Sequence, residues 1–114
     1  QFKQARDSQR IANVNTILNA LGQNMADHQG VLQCGGGSVT IPDAVTRMSS
    51  QSSDFDIVEC LVPDYLPKVP TDPISGQYTS DDDYTTGYDI VRDGDGRLTV
   101  SATGEIQAVI AVTR

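Results

Sequence analysis

One histidine, two cysteines and fifteen acidic residues are the groups in this 114-residue chain whose types first suggest chemistry. His28 closes a long apolar-periodic segment, where a cation is favourable at a helix C-terminus and solvent is near, so a capping or surface position outweighs a catalytic one. A hydrolase built on His28 or an aspartate needs a nucleophile beside an activating base. No serine stands in a GxSxG context, no P-loop or GxGxxG occurs, and neither cysteine has a basic sequence partner. Glu59 and Asp64 flank a proline-rich bend, a common arrangement on acidic surfaces. The chain is therefore not expected to be an enzyme, and no cofactor is required.

Cys34 and Cys60, with 25 residues between them, lie in a Gly-, Ser- and Pro-rich stretch without the CxxC or Cys/His spacing of a zinc site. A disulfide is the simplest reading. Closing such a loop would stabilise the fold by about 3 kcal/mol and implies an oxidising, extracytoplasmic compartment. Two unpaired buried cysteines are the alternative.

Asp81, Asp82 and Asp83, followed by Asp89, form an oxygen-rich cluster of the kind calcium selects, and three adjacent carboxylates would gain from a cation. A solvated acidic loop explains the same residues. Asp93 and Asp95 lie in a DGDG segment that lacks the following Glu and the flanking helices of an EF-hand, and suits a tight hairpin turn better.

These groups must be carried by one small domain spanning residues 1–114. The hydrophobic fraction of 38% and the absence of Trp predict a modest core of Val, Ile, Leu and Ala. A formal charge of −7 disfavours binding of nucleic acid by this domain alone. No apolar run approaches the roughly 18 residues that span a bilayer, and no signal-peptide pattern opens the chain.

From Phe2 to Gln29 the segment lacks proline, and Ile11, Val14, Leu18, Leu21 and Met25 recur at steps of three and four, giving one amphipathic helix over 1–29. At about 40 Å it should overhang the rest of the domain. Its N-terminal turns carry Lys3, Arg6 and Arg10 against Asp7 alone, the reverse of what the macrodipole favours, and neither Gln1 nor Phe2 caps well. Either the helix begins upstream, or a frayed basic tail precedes a shorter helix from Ser8.

Residues 30–76 read as a stapled connection with short helical turns at Pro42–Met48 and Val58–Leu66, then an extended run turning at Asp72 and Pro73. Residues 77–114 read as sheet. Tyr88, Ile90 and Val91 lead into the 93–96 turn; Leu98, Val100 and Ala102 alternate with polar residues; Ile106 to Val112 forms a third strand. The helix stripe needs a partner, and one face of this meander is the only large one. The expected fold is α+β: a long amphipathic helix on an antiparallel sheet of about three strands.

The run Ala5-Arg-Asp-Ser-Gln-Arg10 leading into Ile11-Ala-Asn-Val-Asn-Thr-Ile-Leu, then Leu61-Val-Pro-Asp-Tyr-Leu-Pro-Lys-Val-Pro-Thr-Asp-Pro, Tyr88-Asp and Leu98-Thr-Val-Ser-Ala-Thr, resembles type IV pilins and the pseudopilins of type II secretion. The resemblance covers nearly the whole chain, and the segment from Tyr65 to Pro73 is its most specific part. It implies a hydrophobic N-terminal segment, cleaved and methylated, that anchors the subunit in the inner membrane and then packs in a filament core. It further implies that the helix half bearing Ala5, Ile11, Val14 and Leu18 contacts neighbouring subunits, with Leu21 and Met25 under the sheet. In major pseudopilins calcium orders a C-terminal loop, and Asp81 to Asp83 with Asp89 occupy a comparable part of this chain.

Two functions of different kinds follow. One is a structural subunit that polymerises with copies of itself and related minor pilins, at the cell surface or in the periplasm, without catalysis. The other is an extracytoplasmic module binding a cation or carbohydrate through its acidic loops.

Overall fold

In the computed structural model, which describes residues 2–114, the N-terminal stripe becomes helix α1 (Phe2–Asp27). Gln1, the first residue of the expected helix, lies outside the described residues. The helix stops where Gln29 and Gly30 take φ of 59° and 88° and the Gly30 N–H donates to the Met25 carbonyl at 2.7 Å. That bond satisfies a carbonyl the last turn leaves open.

A small hairpin follows, β1 (Leu32–Cys34) and β2 (Gly37–Val39), turned by Gly35 and Gly36 at φ of 64° and 89°. Both turn positions need positive φ, which glycine adopts without strain. Next come β3 (Thr46–Ser49), the one-turn helix α2 (Val58–Leu61), β4 (Gln77–Ser80), β5 (Asp83–Arg92), β6 (Leu98–Thr103) and β7 (Val109–Thr113). One antiparallel sheet runs β3-β5-β6-β7, with β4 also paired to β5.

The α+β architecture of a long helix on an antiparallel sheet stands, but the sheet has five strands rather than three. The helical turn expected at Pro42–Met48 is replaced by β3, whose Thr46 and Arg47 pair with Ile90 and Asp89 of β5. Sheet pairing there overrides the local proline signal. The turn expected over Val58–Leu66 shortens to α2, which ends ahead of the cis Val62-Pro63 bond. The third expected strand starts at Val109, not Ile106, because the backbone of residues 105–107 is drawn aside to Asp7.

The hairpin at 93–96 forms as expected. Asp93 Oδ1 accepts the N–H groups of Asp95 and Arg97, each at 2.9 Å, and Gly96 takes φ 83°. Along β5 the buried positions alternate as Tyr84, Thr86, Tyr88 and Ile90, and along β6 as Leu98, Val100 and Ala102. Val14, Ile17, Leu18 and Leu21 of α1 join them in the core. Removing an aliphatic side chain of this size from water contributes roughly 1.5–3 kcal/mol. Gly87, at φ 79°, lies so close to Asp72 that an added Cβ would stand 2.8 Å from the Asp72 Cβ, which fixes the approach of the Asp72 turn to β5.

Candidate functional site

The residues with chemical promise fall into separate places. Cys34 at the end of β1 and Cys60 in α2 form the disulfide, and a bond of this kind belongs to an oxidising environment. His28 lies just beyond α1 with its Nδ1 2.6 Å from the Asn24 carbonyl oxygen, the position of a group closing a helix end. It shares a cleft with Glu59, Asp64 and Tyr65, whose hydroxyl donates to Asp27 at 2.8 Å.

The four aspartates suggested for calcium do not converge. Asp81 Oδ1 accepts the Tyr78 hydroxyl at 2.5 Å, while Asp89 lies six residues along β5 from Asp83, about 20 Å of extended chain. Among the described residues no group of three or more His, Cys, Asp or Glu side chains is placed to hold a metal ion. Asp93 is committed to its turn.

The helix residues suggested as subunit contacts divide. Ala5 is exposed and Ile11 is 39% exposed, but Val14 is 0% and Leu18 3% exposed, packed inside the domain's own core. The outward face of α1 therefore excludes Val14 and Leu18. The expected overhang is also confined to the first turn, because the helix is tied down from Arg6 onward.

That tie is an ionic cluster that sequence reasoning missed. Arg10, 3% exposed, donates through Nε to Asp72 Oδ1 at 2.6 Å and through Nη2 to Asp72 Oδ2 at 3.2 Å. Its Nη1 donates to Asp7 Oδ1 and to Glu105 Oε2, both at 2.8 Å. Arg6 grips Glu105 with two bonds, at 2.5 and 2.7 Å. Asp7 in turn accepts the backbone N–H groups of Glu105, Ile106 and Gln107 at 2.9, 2.8 and 3.2 Å. Next to the cluster, Asn13 Nδ2 donates to the Thr71 carbonyl at 3.1 Å and to the Tyr88 hydroxyl at 2.8 Å.

The electrostatics follow from these partners. The backbone N–H groups of Glu105 and Ile106, with help from Gln107 and Arg10, hold Asp7 well below the usual carboxylate range. Arg6 and then Arg10 bring Glu105 down to about 2. Burial alone would push Asp72 up, but Arg10 and the N–H groups of Ser75 and Ile74 more than offset it, leaving it below its ordinary value. Arg10 is raised, chiefly by Asp72. All four groups stay charged at neutral pH, and the cluster acts as a clamp joining helix, Asp72 turn and 105–107 loop. Arg6 and Arg10, two of the misplaced cations of the helix start, thus find counter-ions in Glu105 and Asp72, far along the chain.

A second tie secures the other end of α1. Asn24, 1% exposed, donates to the Gln33 and Cys60 carbonyls at 2.9 and 2.6 Å and accepts the Gln33 N–H at 3.0 Å. It binds the helix to both segments that the disulfide joins. No family model, no curated protein and no solved structure matches this chain. Among the described residues, no helix is long and apolar enough to cross a membrane.

Proposed function

We propose that this domain is a structural subunit of an extracytoplasmic filament of the type IV pilus or pseudopilus kind, serving adhesion, motility, DNA uptake or protein secretion. The observation that carries this reading is how α1 is held. A 26-residue helix lies along an antiparallel sheet, fixed at both ends by the Arg10 clamp and by Asn24, while its outward face stays exposed at Ala5, Ser8, Ile11, Ala12 and Thr16. A filament needs this combination, because many copies must present the helix at one angle to the body. The disulfide, which suits the periplasm or cell surface, supports the same reading.

In this reading the subunit carries no catalytic activity, and copies of itself and related minor pilins are its partners. A membrane-anchoring N-terminal segment, cleaved and methylated, would precede Gln1 in the native protein, and a separate ATPase would drive assembly. For the alternative, a module binding a cation or carbohydrate through its acidic loops, the separation of Asp89 from Asp81 to Asp83 removes the four-aspartate calcium cluster.

The test is immunogold electron microscopy of cells expressing the complete native gene, with antibody raised against this domain. Labelled filaments are expected. Recovery of the domain only as a released monomer, with no labelled filament or envelope assembly, would overturn the reading.

A further inference from the structure

Two edges of the main sheet, those of β3 and β7, are finished differently. At the β3 edge, Phe55 closes the ladder: its N–H donates to the Arg47 carbonyl at 2.9 Å and its carbonyl accepts the Ser49 N–H at 3.1 Å. That strand also carries a register shift between Arg47 and Ser49. Among the described residues strand β7 pairs with β6 alone, in unbroken register from Val109 to Thr113.

Which groups β7 leaves open can be read from its register. Leu98 and Arg114 exchange both backbone hydrogen bonds, at 2.7 and 2.8 Å. Antiparallel pairs alternate, so Val112 and Ile110 also turn their N–H and C=O groups toward β6. The N–H and C=O groups of Val109, Ala111 and Thr113 point away from the sheet. Residues 106–113 contain no charge, no proline and no glycine, in a chain of formal charge −7. Arg114, the nearest cation, is turned back onto α1, where it donates to Asn15 and Asn19. Among the described residues, none of the devices that normally protect an edge strand is present on β7.

We propose that β7 is a self-association edge, and that its occupant is β7 of a second copy of this chain, paired antiparallel about a two-fold axis at Ala111. In that register Val109 faces Thr113 of the other copy and Ala111 faces Ala111, so no like charges meet. On the inner face Ile110 lies opposite Val112, which extends the apolar layer. Because α1 packs over β6 and β7, and strands stand about 4.8 Å apart, the two helices would run side by side roughly 10 Å apart. That is the distance at which helices pack. Ile11 and the 62%-exposed Ile106 border one open cleft on this flank, and Val109 is 71% exposed beside it.

The contact is isologous and closes at two. It does not build a filament and does not rest on the filament reading. With only the five residues of β7 paired on each side, it is a weak contact that forms at high concentration and strengthens with salt as the repulsion of two −7 copies is screened.

Sedimentation of the oxidised domain from about 10 µM to about 1 mM is expected to show a monomer–dimer equilibrium, with the Val109, Ala111 and Thr113 amides shifting and gaining exchange protection as it dimerises. Ala111→Lys and Ala111→Glu, whose side chains project into solvent, should each be monomeric over that range with unchanged melting temperature. An equimolar mixture of the two should dimerise again, since opposite charges then meet at the axis. A wild-type domain that stays monomeric throughout, a dimer that survives Ala111→Lys, or a mixture that fails to restore pairing would each overturn the proposal.

Discussion

Replacing Arg10 with methionine keeps most of the buried side-chain volume and removes the charge at the centre of the clamp. The guanidinium is 3% exposed and makes four hydrogen bonds to Asp72, Asp7 and Glu105. Its removal leaves Asp72, itself 4% exposed, without its bidentate partner. Breaking one side of a buried ion pair costs about 3–5 kcal/mol, because the remaining charge keeps its desolvation penalty. For a domain of this size that corresponds to a fall in Tm of about 10–20 °C. Arg10→Lys, which keeps the charge but loses the fork, should fall between methionine and wild type. The double variant Arg10→Met/Asp72→Leu should recover part of the loss, since the orphaned carboxylate is then gone. Thermal unfolding followed by circular dichroism at pH 7 measures all three. An Arg10→Met domain within about 1 kcal/mol of wild type would refute the clamp as a main contributor to the fold.

Acid should release the same clamp. Glu105 is held at about 2, and Asp7 and Asp72 also lie below their ordinary values, so their contribution is complete above the unfolded pKa near 4 and fades as pH falls through the folded values. Urea midpoints should therefore decline from about pH 5 toward pH 2, and the gap between wild type and Asp7→Asn should narrow over that interval; a constant gap contradicts the assignment. At alkaline pH the governing group is Tyr84, raised first by burial and then by its 2.7 Å hydrogen bond to Asp56. Its contribution is complete below the unfolded pKa of about 10 and lost above it, so Tyr84→Phe should flatten the alkaline fall in stability measured with phenolate absorbance. Substituting Cys34 and Cys60 together by alanine should lower stability by about 3 kcal/mol in chemical denaturation, with amide exchange rising first in β1 and α2; a loss below about 1 kcal/mol would assign that region's order to Asn24 instead.

What could be read from the sequence was local in origin. Val14, Leu18 and Leu21 fall on one helical stripe, and Asp93 to Gly96 spells a hairpin turn, so α1 and the β5–β6 pair follow from periodicity and turn chemistry alone. The β1–β2 hairpin had a signal in Gly35-Gly36, hidden by the surrounding loop-like composition. Strands β3 and β4 are four residues each, and their form comes from pairing with β5 rather than from their own preference.

The clamp is the opposite case. Arg10 is 62 residues from Asp72 and 95 from Glu105, and no pattern links positions so far apart. The available signal was indirect: Arg6 and Arg10 oppose the macrodipole where they stand, so carboxylates from elsewhere had to reach them. Glu105, just after Gly104, and Asp72, just before Pro73, are those carboxylates. The same contact explains why β7 starts late, since Asp7 takes the backbone N–H groups that a strand from Ile106 would have used.

The most direct test of the filament reading is the coding sequence upstream of Gln1 in the native gene. It is expected to encode a short basic leader ending in Gly, followed by an apolar segment of about 20 residues with an early Glu. An ordinary cleavable signal peptide directly before this domain, with no such apolar segment retained, would contradict it.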